Sequence, residues 1–212
     1  SIVKLADEKG IKTIVVSGAE ASEESFRITS NQELPDVIHI STHGFFFPDV
    51  EPIPESKGSL SANAWTEQPF RISDNPLMRA GLVLAGANHA WSGDSISSIT
   101  DDGILTAFEV SNLYFPETQM VVLSACETGL GEIRSNEGVY GIQRAFMIAG
   151  ADRIIMSLWQ IPDYQTTELM IRFYTEWFSG LKAEEAFNVA RNNIRKKYPL
   201  QPYMWAGFVM IR

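Results

Sequence analysis

Short apolar runs alternate with amphipathic stretches along the chain. Runs of strand length occupy residues 11–17, 37–42, 82–85, 120–124, 153–158 and 205–211. Helical patterns lie at residues 138–149, 163–179 and 182–197. Strands that are apolar throughout and are mostly separated by helices are typical of a parallel sheet covered on both faces. The pattern predicts an α/β fold, organised as one domain over residues 1–212.

Local signals mark several helix ends. Ser22 precedes two acidic residues, as the cap of a helix often does. Gly150 and Gly180 follow two of the helical patterns, where a left-handed cap is favoured.

Residues 45–76 are the exception to the alternation, since they hold five prolines and no sustained period. Long irregular stretches in compact domains are functional loops or disordered segments. This one is either a surface insertion or a lid over a substrate. The chain also begins almost at once with strand material, so we expect it to be the C-terminal part of a longer protein.

Charge and composition restrict the partners. The chain has a net charge of −9, which disfavours direct binding of nucleic acid. Its one basic cluster is short and suits a solvated helix end: Arg191, Arg195, Lys196 and Lys197. No apolar run approaches the roughly 20 residues of a membrane span, and there is no signal pattern. We expect a cytoplasmic protein that does not bind a membrane.

Cys126 is the only cysteine, which excludes an internal disulfide and a multi-cysteine metal site. It is either inert filler or a nucleophile. Cys126 follows the run 120–125, and His43 similarly follows the run 37–42. Side chains at the carboxyl ends of parallel strands converge, so the two residues are able to meet.

A thiol beside an imidazole suits acyl transfer. His43 would take the thiol proton, and the thiolate of Cys126 would attack a carbonyl to form an acyl-enzyme. The N–H groups of Gly44 and Cys126 are the natural donors to the developing oxyanion.

Other polar residues have simpler interpretations. We expect His39 to be a packed histidine of the strand core. Asp163 suits a helix N-cap, but it also lies at the same sheet edge as the dyad, where it would meet a cationic group. The run Gly129-Leu130-Gly131 lacks the Lys-Ser/Thr of a phosphate loop. We expect no nucleotide, other cofactor or metal.

Several motifs occur together in the order of one family. They are Ile38-His39-Ile40-Ser41-Thr42-His43-Gly44, Asp102-Gly103-Ile104-Leu105-Thr106-Ala107, Leu123-Ser124-Ala125-Cys126-Glu127-Thr128-Gly129, Glu137-Gly138-Val139, Ala149-Gly150-Ala151 and Ser157-Leu158-Trp159. The chain thereby resembles the CHAT domain, a caspase-like peptidase domain often fused to TPR repeats. The resemblance implies a three-layer caspase-like sandwich with a mostly parallel six-stranded sheet.

The resemblance also implies site residues. It makes His43 the catalytic histidine and Cys126 the nucleophile. Separases, which are related, bind an arginine at P1, the substrate residue before the scissile bond, through an aspartate after a Leu-Trp strand. Asp163 matches that aspartate. Caspases proper use arginines to bind an acidic P1 residue, and Arg153, the nearest here, is at the far end of its strand.

The leading hypothesis is therefore a cysteine endopeptidase that cleaves a protein substrate after Arg or Lys. The substrate would pair as an added strand along four residues: Ser157, Leu158, Trp159 and Gln160. The resemblance further implies a regulatory TPR region or activating partner, and a bacterial defence role with a gasdermin-like effector as one candidate substrate. Two alternatives stay open: a catalytically silent caspase-like scaffold, and a small-molecule cysteine hydrolase.

Overall fold

A computed structural model of the chain describes residues 1–47, 75–88, 101–124 and 141–212. The described elements are, in order, α1 (Ile2–Glu8), α2 (Glu23–Glu33), β1 (Val37–Ile40), β2 (His43–Phe46), β3 (Ala80–Val83), β4 (Ile104–Thr106), α3 (Ala107–Ser111), β5 (Met120–Leu123), α4 (Gly141–Ile148), β6 (Ile154–Ser157), α5 (Asp163–Phe178), α6 (Ala183–Lys197) and β7 (Phe208–Ile211).

The central sheet has the order β1-β5-β6-β7 within the described residues. β1, β5 and β6 are parallel, and β7 is antiparallel to β6. All four residues of β5 and of β6 are buried, as continuous apolar runs predict for strands covered on both faces. The predicted mixed α/β fold with a mostly parallel sheet is confirmed. The described ranges supply four strands of this sheet, against the six that the resemblance implies.

Helices cover the two faces of this sheet with separate cores. On one face, Val121 and Leu123 lie in a buried cluster with Phe146 of α4. On the other face, Val122 and Ile155 lie in a cluster with α5 and α6. Because side chains alternate along a strand, neighbouring residues of β5 serve opposite cores. The result is a three-layer sandwich.

A second, antiparallel sheet has the order β2-β3-β4 and was not predicted. Residues 80–83 of β3 pair with β2 on one side and with β4 on the other. Phe45 and Phe46 belong to β2, so the predicted irregular stretch starts too early, and its residues 48–74 lie outside the described residues. The sheet bears on the predicted site because His43 is its first residue.

The strand predicted at residues 11–17 is wrong. These residues form no strand, and all seven are exposed. Val15, for example, is 63% exposed. Apolar β-branched residues favour a strand, but a strand exists only with a pairing partner.

The predicted helix ends are confirmed. Ser22 caps α2 by accepting from the Ser25 N–H, and Gly150 and Gly180 have φ angles of 110° and 106°. In the described ranges, no helix combines the length and the apolar character that crossing a bilayer requires.

Candidate active site at the carboxyl edge of the sheet

The carboxyl ends of β1 and β5 lie side by side. The two strands pair in parallel, and their last residues, Ile40 and Leu123, are register partners. The Ser124 N–H extends the pairing by donating to the Ile40 carbonyl at 2.9 Å. Both segments therefore leave the sheet at the same edge, where ligands of parallel α/β sheets bind.

The sequence predicts that His43 directly follows the first strand of the site. In the structure that strand, β1, ends at Ile40, and His43 opens β2 three residues later. It pairs with Val83 of β3, and the hydroxyl of the neighbouring Thr42 donates to the Val83 carbonyl. These contacts hold the backbone, while His43 itself is exposed. An exposed imidazole on a held backbone is suited to take a proton from a reacting group and return it.

The backbone N–H of Gly44 points away from β3. The Phe47 N–H donates to the Arg79 carbonyl at 2.8 Å, in the same register that pairs His43 with Val83. Hydrogen-bonded and non-hydrogen-bonded pairs alternate in an antiparallel ladder. The backbone N–H and C=O of His43 therefore point towards β3, and those of Gly44 point towards the opposite edge of β2. β2 is an edge strand of the described sheet. This orientation suits the predicted role of the Gly44 N–H as an oxyanion donor.

Cys126, the predicted nucleophile and second oxyanion donor, lies outside the described residues, which stop at Ser124 on this side. Cys126 follows Leu123 by three residues, as His43 follows Ile40 by three. The dyad stays a prediction, and the equal distance in sequence from one register pair supports it.

His39 is a packed histidine, as predicted. Its Nδ1 lies 3.1 Å from the Tyr174 hydroxyl, and its Nε2 lies 3.0 Å from the Ser124 hydroxyl. Its ring stacks on that of Tyr174 with centroids 5.7 Å apart. Burial lowers the pKa of His39 to about 4, so the imidazole is neutral at pH 7.

Asp163 is not the N-cap that we predicted. Pro162 holds the N-cap position, and Asp163 is the first residue of α5. Asp163 is exposed, and its carboxylate has no hydrogen bond or ion pair with the rest of the described chain. Helix α5 follows β6, whose carboxyl end lies at the same sheet edge as those of β1 and β5. The carboxylate is therefore available to a cationic ligand.

One edge of the predicted substrate strand is already occupied. Ser157 is buried and pairs with Phe208 of β7, and the Leu158 N–H donates to the Gly207 carbonyl at 2.9 Å. The opposite edge of β6 is paired with β5 as far as Met156. An added strand would therefore have to use the β6 residues beyond Met156 on that side, or the residues beyond Leu158.

The ring of Trp159 is held by the segment before β7. Its Nε1–H donates to the Tyr203 carbonyl at 2.9 Å, and the two rings stack with centroids 6.1 Å apart. A Cβ at Gly207 would lie 2.6 Å from the Trp159 ring, so glycine is needed there for space. Trp159 therefore has a structural role, whereas the next residue, Gln160, is exposed.

The partners of His39 are not evident from the sequence. Tyr174 belongs to the apolar stripe of α5, which signals its burial but not its hydrogen bond. Glu23 is one of the two acidic residues that follow the Ser22 cap, a position that predicts an exposed side chain, yet it is fully buried. Within the described ranges, no group of three or more His, Cys, Asp or Glu side chains is placed to hold a metal ion.

Comparison with known proteins identifies the family. The family model described as CHAT domain matches residues 1–212. The chain is also similar to Tetratricopeptide repeat protein 28 of Homo sapiens, with 27% identity over 205 residues, and of Mus musculus, with 24% over 208 residues. Each alignment covers 92% of this chain but only 8% of the relative, so the chain spans a small part of the length of these relatives. Because the family model matches residues 1–212, this chain belongs to the CHAT domain family.

Proposed function

We propose that this chain is a cysteine endopeptidase in which His43 is the general base and Cys126 the nucleophile. The observation that carries the proposal is the register of strands β1 and β5. Ile40 and Leu123 are paired, and His43 and Cys126 each follow one of them by three residues. Membership of a caspase-like family supports the same assignment.

The first half of the reaction forms an acyl-enzyme. His43 takes the proton from the Cys126 thiol, and the thiolate forms a bond to the scissile carbonyl carbon. The carbonyl oxygen becomes an oxyanion, to which the N–H groups of Gly44 and Cys126 donate. The C–N bond then breaks, and the protonated His43 gives its proton to the leaving amine.

The second half releases the acyl group. A water molecule gives a proton to His43 and attacks the thioester carbonyl, again with the oxyanion held by the same donors. The C–S bond breaks, and His43 returns the proton to the sulfur. The products are a carboxylic acid and the regenerated thiol.

The proposed P1 residue is Arg or Lys, bound by Asp163. Its carboxylate is exposed at the start of α5 and has no partner within the described ranges. A guanidinium would form charge-assisted, often bidentate bonds with it. An acidic P1 side chain would meet a like charge instead.

The wider setting is also part of the proposal. The substrate is a protein whose backbone extends past Trp159 and Gln160, and a gasdermin-like effector in bacterial defence is one candidate. A TPR region or an activating partner would regulate the domain, and the similarity to two tetratricopeptide repeat proteins supports a TPR connection. The site of action is the cytoplasm, where a lone thiol stays reduced.

Labelling with substrate-like inhibitors tests the proposal. Peptide acyloxymethyl ketones with Arg, Lys, Asp or Leu at P1 would be incubated with the protein, and adducts located by mass spectrometry. We expect one adduct on Cys126, formed fastest with Arg or Lys and lost in Cys126→Ala. His43→Ala should slow labelling. No labelling with any of the four peptides, by a folded protein, would favour a catalytically silent binding module.

A charge-matched pair of variants tests the P1 assignment. Asp163→Asn should lower kcat/KM for Arg substrates at least about tenfold, because the bound substrate would cover the exposed carboxylate, and removing one member of a desolvated charge pair costs about 2–5 kcal/mol. Glu176→Gln removes a charge from the other end of the same helix, where Glu176 pairs with Arg172, and should leave P1 preference unchanged. Equal losses in both variants would argue against a pocket role for Asp163.

A further inference from the structure

Three polar side chains form a row from helix α5 to the end of β5. The Tyr174 hydroxyl lies 3.1 Å from Nδ1 of His39, and Nε2 of the same ring lies 3.0 Å from the Ser124 hydroxyl. The row joins three elements, since Tyr174 belongs to α5, His39 to β1, and Ser124 directly follows β5. We call it the Tyr174–His39–Ser124 row.

The hydrogen atoms of the row have a favoured order. Burial raises the pKa of Tyr174, which is 2% exposed, so its hydroxyl keeps a proton that needs an acceptor. Neutral His39 offers one acceptor and one donor. The phenol therefore donates to Nδ1, and the Nε2–H donates to the Ser124 oxygen. In the opposite order, the phenol proton would have no acceptor among the described residues.

Two hydrogen bonds therefore hold Ser124. Its N–H donates to the Ile40 carbonyl at 2.9 Å, and its hydroxyl oxygen receives the His39 Nε2–H. One bond fixes the backbone and the other restricts the side-chain rotamer. Ser124 is the last residue before the segment that carries Cys126 two positions later. The two bonds therefore hold the last described residue before that segment.

The row also connects the two proposed catalytic segments. His39 is one residue before Ile40, after which the chain continues to His43, and its side-chain bond crosses to the start of the segment of Cys126. A histidine with a purely structural role needs only hydrogen-bond partners for its two nitrogens, and any neighbouring polar groups could provide them. For His39, one of these partners is Ser124, the residue that precedes the segment of Cys126.

We propose that His39 is a positioning residue of the cysteine site, which holds Ser124 through its Nε2–H and so fixes the direction in which the chain leaves β5 towards Cys126. The proposal rests on the proposed function, because it assumes that Cys126 must be placed against His43. His39 itself does not touch the reacting atoms.

Two substitutions of His39 separate its two bonds. An Asn amide reaches the position of Nδ1 and keeps the bond to Tyr174, whereas a Gln amide reaches the position of Nε2 and keeps the bond to Ser124. Ser124→Ala removes the hydroxyl, and Ser124→Thr restores one. Tyr174→Phe removes only the phenol oxygen at the far end of the row.

The primary readout is the alkylation rate of Cys126 by iodoacetamide over a range of pH, measured by mass spectrometry. We expect Ser124→Ala and His39→Asn to react about three- to tenfold more slowly than the parent at pH 7, because thiolate formation depends on the neighbouring imidazole. Ser124→Thr and His39→Gln should stay within about twofold of the parent rate. The double variant His39→Asn/Ser124→Ala should be no slower than Ser124→Ala, since both changes remove one bond.

Urea unfolding of each variant separates positioning from simple destabilisation. Ser124 is partly exposed, so we expect Ser124→Ala to fold, and the comparison of Ala with Thr carries the test even if a His39 variant does not. Folded Ser124→Ala with the parent alkylation rate would overturn the proposal. The proposal would also be overturned if the loss of alkylation rate simply paralleled the loss of unfolding free energy across the variants. It would be overturned too if the losses of the two single variants multiplied in the double variant.

Peptide cleavage keeps the two proposals distinguishable. In a cleaving parent, Ser124→Ala should lower kcat at least about threefold and leave KM unchanged, because Ser124 acts through the cysteine segment. If the parent cleaves no peptide but its Cys126 alkylation depends on Ser124, the peptidase proposal fails and the positioning proposal stands. If the parent cleaves and every variant matches it in both assays, the positioning proposal alone fails.

Discussion

Glu23→Gln should remove a pH-dependent loss of stability. Glu23 is fully buried, and its Oε1 accepts from the Gly103 N–H at 2.6 Å while its Oε2 lies 3.5 Å from Arg27. Burial is the largest cause of its high pKa, which the charges of Glu109 and Asp102 raise further. The Gly103 N–H and Arg27 oppose this shift only in part, so the pKa rises from 4.5 to about 7.

The sign and size of the effect follow from this shift. The folded state keeps the Glu23 proton up to about pH 7, whereas the unfolded chain loses it near 4.5. Between these values the unfolded state binds fewer protons, so the free energy of unfolding falls as pH rises, by about 1.4 kcal/mol per unit. The contribution is fully present below pH 4.5 and is lost by about pH 7. Over the whole window, the loss is at most about 3 kcal/mol.

The assay is urea unfolding of parent and Glu23→Gln at about pH 5 and pH 8. Gln keeps an oxygen for the Gly103 N–H and carries no charge at either pH. We expect the stability of Glu23→Gln relative to the parent to increase by about 2 kcal/mol between the two pH values. Glu24→Gln, on the exposed neighbouring residue, is the control and should show no such increase. A Glu23→Gln difference that is the same at both pH values would refute the reasoning.

Four further substitutions test the roles of single residues in the fold by urea unfolding. Gly207→Ala should cost about 1–3 kcal/mol, because its Cβ would lie 2.6 Å from the ring of Trp159; a cost within error would contradict the tight contact. Gly103→Ala should cost at least about 2 kcal/mol, because its φ is 82° and its Cβ would lie 2.1 Å from a backbone nitrogen; Gly180→Ala, with a φ of 106° but open space, should cost less. Asp163→Asn should change stability by no more than about 1 kcal/mol, since Asp163 caps nothing; a larger loss would show a structural role.

Local sequence patterns were sufficient to predict the strands whose residues are all buried and the helix ends that carry a cap. Strand β5 is apolar throughout and β6 is apolar except for Ser157, and both are buried throughout, so composition alone identified them. The ends of α2 and α5 were marked by Ser22 and Gly180, because a cap is a local interaction. Residues 11–17 have the same apolar, β-branched character as these strands, yet they do not pair. The pattern indicates a preference for the strand conformation, but it does not indicate whether a neighbouring strand is present to pair with.

The site was predictable in its residue types and less so in its geometry. The equal offsets of His43 and Cys126 from their strands can be counted in the sequence, but the pairing of Ile40 with Leu123 comes from the structure. Asp163 was identified as a candidate carboxylate, while its first-turn position depends on Pro162, which takes the cap instead.

The sequence by itself determined the α/β class, the central strands and helices, and the lone cysteine with its candidate histidine. These depend on hydrophobic period, caps and composition, which are properties of neighbouring residues. Only the tertiary structure decided the antiparallel sheet that carries His43, the burial of the Glu23 carboxyl group and the bonds of His39 to Tyr174 and Ser124. Those features join residues distant in the chain, and both their burial and their hydrogen-bond partners exist only once the layers have packed.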